Sequence, residues 1–231
     1  MQSFSSDIQN QISGIPDGKI FTFKSLSYPP AKQANVAVIL SGMLKAGQLI
    51  RVEKGAYYKP KQSRLGLGNL PVYQEEQLTF LTKKLNGYLT GAYIYNKLSL
   101  TEQVPTTITI ATAKPVRAFT FNKLSMECVK AYVDTPEDSY ELYLVQLLDA
   151  IKDIKHIPGV SPQDAFDKIL RLHISPLPFA DLKRLVSLSC NYPPRVRKVL
   201  GDMLANRDEN LRNELLSTIN PTTRFSLSYT L

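Results

Sequence analysis

Residues 19–60 read KIFTFKSLSYPPAKQANVAVILSGMLKAGQLIRVEKGAYYKP, the order of a strand, two helices and a basic hairpin. Ile20 and Phe21 supply the strand, and Thr22 is placed to cap a short helix carrying Phe23 and Leu26. Pro29 and Pro30 end that helix and turn the chain into a longer one, expected from about Ala31 to Ala46. Within it Val36, Ile39, Leu40, Met43 and Leu44 recur at spacings of three and four, so one face is apolar and packs inward. Lys32, Gln33, Asn35, Val38, Ser41 and Lys45 are left outside. Gly47 closes the helix, because the left-handed conformation beyond a helix end costs glycine little. Leu49–Val52 and Ala56–Lys59 then form two strands around Glu53-Lys54-Gly55, a wing. The whole order is the core of a winged helix-turn-helix.

Charge separates this segment from the rest. Residues 1–65 carry nine Lys and Arg against three acids, a net of +6, whereas the remainder carries nineteen against seventeen, a net of +2. A phosphate-facing surface needs such localisation, because each neutralised phosphate releases counterions and the field steers encounter. A solvated basic surface would give the same count, so charge acts here together with the fold pattern.

At 231 residues with 43% hydrophobic and 21% charged residues, the chain is ordinary globular material, and its charge shift favours two domains. No apolar run approaches the ~18–20 residues that span a bilayer, and the first ten residues lack the pattern of a signal peptide. A cytoplasmic protein without membrane association is expected. Cys128 and Cys190 have no neighbours at zinc spacing and are expected to be reduced. His156 and His173 are the only histidines, so neither a metal site nor any other cofactor is expected.

The pattern predicts an α+β protein: a winged-helix domain over residues 1–62, a linker over about 63–74, and an α+β domain over 75–231 with a large helical C-terminal part. A first helix is expected over Ser6–Ile15, capped by Ser5 or Ser6. The Gly- and Pro-containing stretch KQSRLGLGNLPVYQ reads as the linker. Leu78, Leu81 and Leu85 mark a helix from Glu75, and Tyr88, Tyr93 and Tyr95 are expected to be buried at a helix start rather than to stack on bases. Strands are expected over Thr106–Thr112, Val116–Phe121 and Leu124–Val133. Helices are expected from Asp138, then at about 161–173, 178–189, 194–206 and 208–217, and the alternation over Arg224–Thr230 suggests a closing strand.

An enzyme is not expected. A metal-dependent nuclease or nucleotidyltransferase needs converging carboxylates, and Glu127 with Lys130, three apart on a strand, fall on opposite faces. GLGN at residues 66–69 lacks the lysine of a phosphate loop. The cluster Arg195, Arg197 and Lys198 reads as a solvated helix face or a further contact surface.

FTFKSL, LSGMLKAGQLIRVEKGAYYKP, NGYLTGAYIYNKLSLTEQVPTTITIAT and LLSTINPTTRFSL occur in this order. In order and content they resemble the AbiEi-type antitoxins of type IV toxin–antitoxin systems and related prokaryotic winged-helix regulators. The resemblance implies a regulator that binds double-stranded DNA at its own operator and represses it. It also implies a nucleotidyltransferase-like toxin encoded nearby, whose direct contact is not required. By position it places Lys32, Gln33, Asn35 and Ser41 toward the major groove and Lys54 at the wing tip. The chemistry agrees: a helix N-terminus favours phosphate near Lys32 and Gln33, and Asn35 has the donor and acceptor to pair with an adenine edge. Lys45 and Arg51 complete the candidate DNA contacts. The alternative is a protein-interaction module whose winged helix does not bind DNA.

Overall fold

The computed structural model describes residues 3–66, 68–225 and 229. The chain divides into two compact units, residues 1–83 and 84–231.

The first unit comprises α1 (Phe4–Ser13), β1 (Ile20–Thr22), α2 (Gln33–Lys45), β2 (Ile50–Glu53), β3 (Ala56–Tyr58) and α3 (Gln74–Leu85), whose last two residues lie past the division. Ser3 caps α1, its hydroxyl accepting the Ser6 N–H at 3.2 Å, so the helix starts before the expected Ser6. Thr22 does act as a cap, but only for the single 3-10 turn Phe23–Ser25. Leu26 is already extended, and with Tyr28 preceding Pro29 the chain has no room to continue helically. A second 3-10 turn, Pro30–Lys32, leads into α2, which therefore begins at Gln33.

Three antiparallel strands in the order β1-β3-β2 make a small sheet with two apolar faces. Because side chains alternate along a strand, Phe21 and Tyr57 join Ile8, Ile12, Val36, Leu40 and Leu49 in one core. Ile20, Ala56 and Tyr58 lie in another with Val72, packed by Phe80 of α3. This second face corrects the sequence-based expectation that the helix from Glu75 belongs to the second domain. Glu76 accepts the Ile20 N–H at 3.0 Å, and the Gln77 amide donates to the Val72 carbonyl at 3.0 Å. Nor are residues 61–66 and 68–70 a structureless linker: the Leu70 N–H donates to the Lys61 carbonyl and the Ser63 N–H to the Gly68 carbonyl. Counted by these units, residues 1–83 hold ten bases and five acids, +5, and residues 84–231 eighteen and fifteen, +3.

The second unit opens with β4 (Gly87–Thr90) and α4 (Ala92–Lys97), and continues through β5 (Thr107–Thr112), β6 (Phe119–Phe121) and β7 (Leu124–Lys130). These strands form a sheet in the order β4-β5-β7-β6, with β5 and β7 parallel and both outer pairs antiparallel. The sequence pattern does not anticipate β4: Tyr88 is buried within it, and Tyr95 is buried in α4. The glycines of GYLTG have a steric cause. A Cβ on Gly87 would stand 2.4 Å from the Ala111 carbonyl oxygen, and one on Gly91, at φ 70°, would stand 2.7 Å from Thr109 Oγ1. Gly87→Ala is expected to cost about 1–3 kcal/mol, the range for overpacking. A urea midpoint equal to that of the native chain would show that the strand yields without cost.

Among the described residues five helices follow: α5 (Ser139–Lys152), α6 (Pro162–Ile169), α7 (Phe179–Ser189), α8 (Pro194–Met203) and α9 (Glu209–Ser217). A π-helical turn, Leu170–Ile174, continues α6. The central helix is α5, buried at every position from Leu144 to Ile151 except Gln146. Its core takes in Tyr88, Ala111, Phe166, Leu185, Val196 and Leu215 from the surrounding elements. Most of the expected closing strand lies outside the described residues. Of that segment, Tyr229 stacks on Phe166, with centroids 4.4 Å apart, and donates to Asp202 at 3.0 Å.

Candidate nucleic-acid interface

The seven residues singled out in the sequence, Lys32, Gln33, Asn35, Ser41, Lys45, Arg51 and Lys54, are all exposed and all belong to the first unit. Val36 and Leu40 bury one side of α2, with Ile39, Met43 and Leu44 packed beside them. At about 100° per residue the opposite side carries Ala34, Val38, Ser41 and Lys45, with Asn35 and Gly42 at its edge. No acidic residue occurs in α2. Gln33 lies nearer the buried side and is exposed because it opens the helix. Lys32, in the preceding turn, holds its ammonium 4.5 Å from the centroid of the Phe4 ring. The start of α2 has no side-chain cap, and the Gln33 N–H is taken by the Pro30 carbonyl of the preceding turn.

The hairpin of β2 and β3 turns through Lys54 and Gly55. Arg51, on β2, has its guanidinium carbon 5.8 Å from the centroid of the Tyr57 ring. That ring is held by Phe21 and Phe23, both with centroids 6.1 Å away. Phe23, Arg51, Lys54, Gly55 and Tyr57 line one open recess. Lys59, basic by count, is engaged elsewhere: it donates to the Ser13 carbonyl at 2.7 Å and pairs with Asp17 at 3.3 Å.

In the second unit the basic cluster on α8 is drawn into the structure, whereas the carboxylate–lysine pair on β7 is not. Arg195 donates to the Lys152 carbonyl at 3.3 Å and Lys198 pairs with the buried Asp202, so the C-terminal basic cluster is not a solvated face. Glu127 and Lys130 are exposed on β7, and among the described residues no three His, Cys, Asp or Glu side chains are placed to hold a metal ion. Cys128 and Cys190 are free thiols, and burial pushes that of Cys128 up from its ordinary pKa.

His173 is structural: Nε2 lies 2.8 Å from the Leu98 carbonyl oxygen and Nδ1 lies 2.9 Å from the Tyr143 hydroxyl. These partners suit a neutral ring that donates to Leu98 and accepts from Tyr143. Burial holds its pKa below 6.5. The unfolded chain thus binds the proton more readily, and the stability contributed by the neutral ring is complete above 6.5 and declines as pH falls toward the folded value. Unfolding free energy is expected to drop less between pH about 7.5 and 5 in His173→Gln than in the native chain; equal drops would remove His173 as a source.

A buried polar cluster on α5 lies beyond sequence reasoning. Asp149, 3% exposed, accepts from the Thr90 hydroxyl at 2.7 Å and the Tyr192 hydroxyl at 3.0 Å. Tyr95 donates to the Asp149 carbonyl at 3.2 Å and to the Asp153 carboxylate at 2.7 Å. The Tyr88 hydroxyl is buried without a hydrogen-bond partner. Desolvation raises the Asp149 pKa, opposed by the Thr90 bond, the charge of Lys152 and the Tyr192 bond. Two-way hydrogen bonding of this kind ties α5 to β4, α4 and the turn before α8.

Among the described residues, no helix is long and apolar enough to cross a membrane. No curated protein matches the sequence. The structure overlays on the crystal structure of the RV2827C protein from Mycobacterium tuberculosis with a TM-score of 0.51, covering 96% of this chain and 84% of that one at 13% sequence identity. At that identity the likeness concerns the fold, which is mixed α+β. Residues 7–139, ending at the first residue of α5, match the profile of a family of unknown function, DUF6088. Since that match spans more than half of its length, the chain belongs to the DUF6088 family.

Proposed function

We propose that this protein is a DNA-binding transcriptional regulator that represses its own operon, acting as an antitoxin of the AbiEi type. In this reading β1, the 3-10 turn after it, α2 and the β2–β3 hairpin are a winged helix-turn-helix. The observation that carries it is the exposed side of α2, free of carboxylates and bearing Lys45, within a unit whose hairpin exposes Arg51 and Lys54. Cations so placed suit the phosphate backbone, which supplies affinity, while Asn35 and Ser41 on α2 supply groups able to meet base edges. Repression follows from occupancy, since a protein seated over a promoter excludes polymerase. The nucleotidyltransferase-like toxin would then be encoded beside it, its level held down through transcription without direct contact.

The test is a mobility-shift titration on the protein's own upstream DNA and on a random duplex of equal length, at several salt concentrations. Salt-sensitive binding with preference for the upstream fragment is expected. No shift at low salt would overturn the reading in favour of a protein-interaction module, for which the 71% exposure of Val38 would be the starting point.

A further inference from the structure

Val38 stands 71% exposed at the middle of α2, on the side turned away from Val36 and Leu40. Asn35 precedes it by one turn, and Ser41 and Lys45 lie beyond it on the same side. Residues three apart on a helix have Cβ atoms about 5–6 Å apart, and stacked base pairs rise about 3.4 Å, so Asn35 and Val38 span one base pair or two neighbours. In the major groove an A·T pair is marked by the adenine N6 and N7 and by the thymine 5-methyl group. The Asn35 amide matches the first feature and the Val38 methyls match the second. Lysine is depleted from the cores of protein–protein interfaces, whereas Lys45, Arg51 and Lys54 complement phosphate. Charge therefore favours duplex DNA over an apolar protein surface as the occupant of this face.

Resting on the DNA-binding reading above, we infer that α2 reads A·T-containing steps of duplex DNA, with Val38 packed against a thymine 5-methyl group. Uracil pairs as thymine does and lacks only that methyl, so replacing thymine by deoxyuridine removes the contact and leaves the base pairing and the charge. The full chain is first used to select from a random duplex library, and each thymine of the enriched duplex is then replaced singly by deoxyuridine. Native protein is expected to lose about four-fold in affinity at one or two positions, the worth of burying one methyl-sized group. Val38→Ala, confirmed to melt as the native chain does, is expected to be indifferent at those positions. Indifference of the native protein to every replacement, or an unchanged methyl sensitivity in Val38→Ala, would overturn the inference while leaving DNA binding intact. Failure to enrich any duplex would overturn the underlying reading as well.

Discussion

Replacing Lys45, Arg51 and Lys54 together by alanine is expected to weaken binding to specific and random duplexes alike, by about 10²–10³-fold near 0.1 M salt. The size comes from counterion release: each phosphate contact contributes about 0.9 to the slope of log affinity against log salt, so three losses flatten that slope by about 2.7. All three side chains are exposed, and Lys59, which bridges Ser13 and Asp17, is left in place, so the fold of the first unit is retained. Asn35→Ala is expected to behave differently. It should leave the salt slope unchanged and relax discrimination at an adenine by about 1–3 kcal/mol. Titrations of both variants at four salt concentrations separate the roles, and an unaltered slope in the triple variant would show that these cations do not face phosphate.

Asp149→Ala is expected to destabilise the second unit by about 1–3 kcal/mol for each buried hydroxyl left without an acceptor. The Thr90 and Tyr192 hydroxyls would lose their carboxylate acceptor in a site already holding the unpartnered Tyr88 hydroxyl. Asp149→Asn keeps one acceptor and the shape, so it should cost much less. The pH dependence identifies the cause. Because the folded carboxyl holds its proton more tightly than the unfolded one at 3.8, native stability attributable to Asp149 falls as pH rises from 3.8 through the raised folded pKa. In Asp149→Asn that fall should vanish. Urea unfolding monitored by tyrosine fluorescence across this range measures both effects, and identical pH profiles would mean that Asp149 is not the titrating group.

Helix α2 is legible in the sequence because its apolar residues repeat with the helical period, and the hairpin because Lys54-Gly55 interrupts two apolar runs. The same rules find β5, β6 and β7. They fail where spacing alone is ambiguous. Residues 61–74 contain glycine and proline and so read as a linker, yet Val72 and α3 cover a second face of the first sheet, a face made by Ile20, Ala56 and Tyr58. Local pattern does not reveal that a three-residue strand is apolar on both sides. β4 is hidden because Tyr88 and Leu89 lie between glycines, whose small size answers to Ala111 and Thr109 on the neighbouring strand. Exposure of Asn35, Ser41 and Lys45 is implied by the period of α2, and that of Lys54 by the turn. The engagement of Lys59 and Arg195 by distant partners is not, because charge counts carry no information about who stands opposite.

The second sheet also constrains the order in which the chain assembles. β6 pairs with β7 alone, through the two-residue link Asn122-Lys123, whereas β7 must also lie parallel beside β5. A strand whose single neighbour comes directly after it needs little loop closure to find its place, but the parallel pairing requires residues 113–118 to cross over first. The β6–β7 hairpin is therefore expected to form early and to dock on β5 as a preassembled piece. Substitutions at Phe119 and Phe121 should then slow folding, while those at Ile108 and Ile110 should chiefly hasten unfolding. Stopped-flow refolding of the four variants decides the matter, and the reverse pattern would make β5 the early template. A hairpin that forms before its sheet briefly presents an unpaired β7 edge, so the interval between the two steps is when this chain is most exposed to misassociation with its own copies.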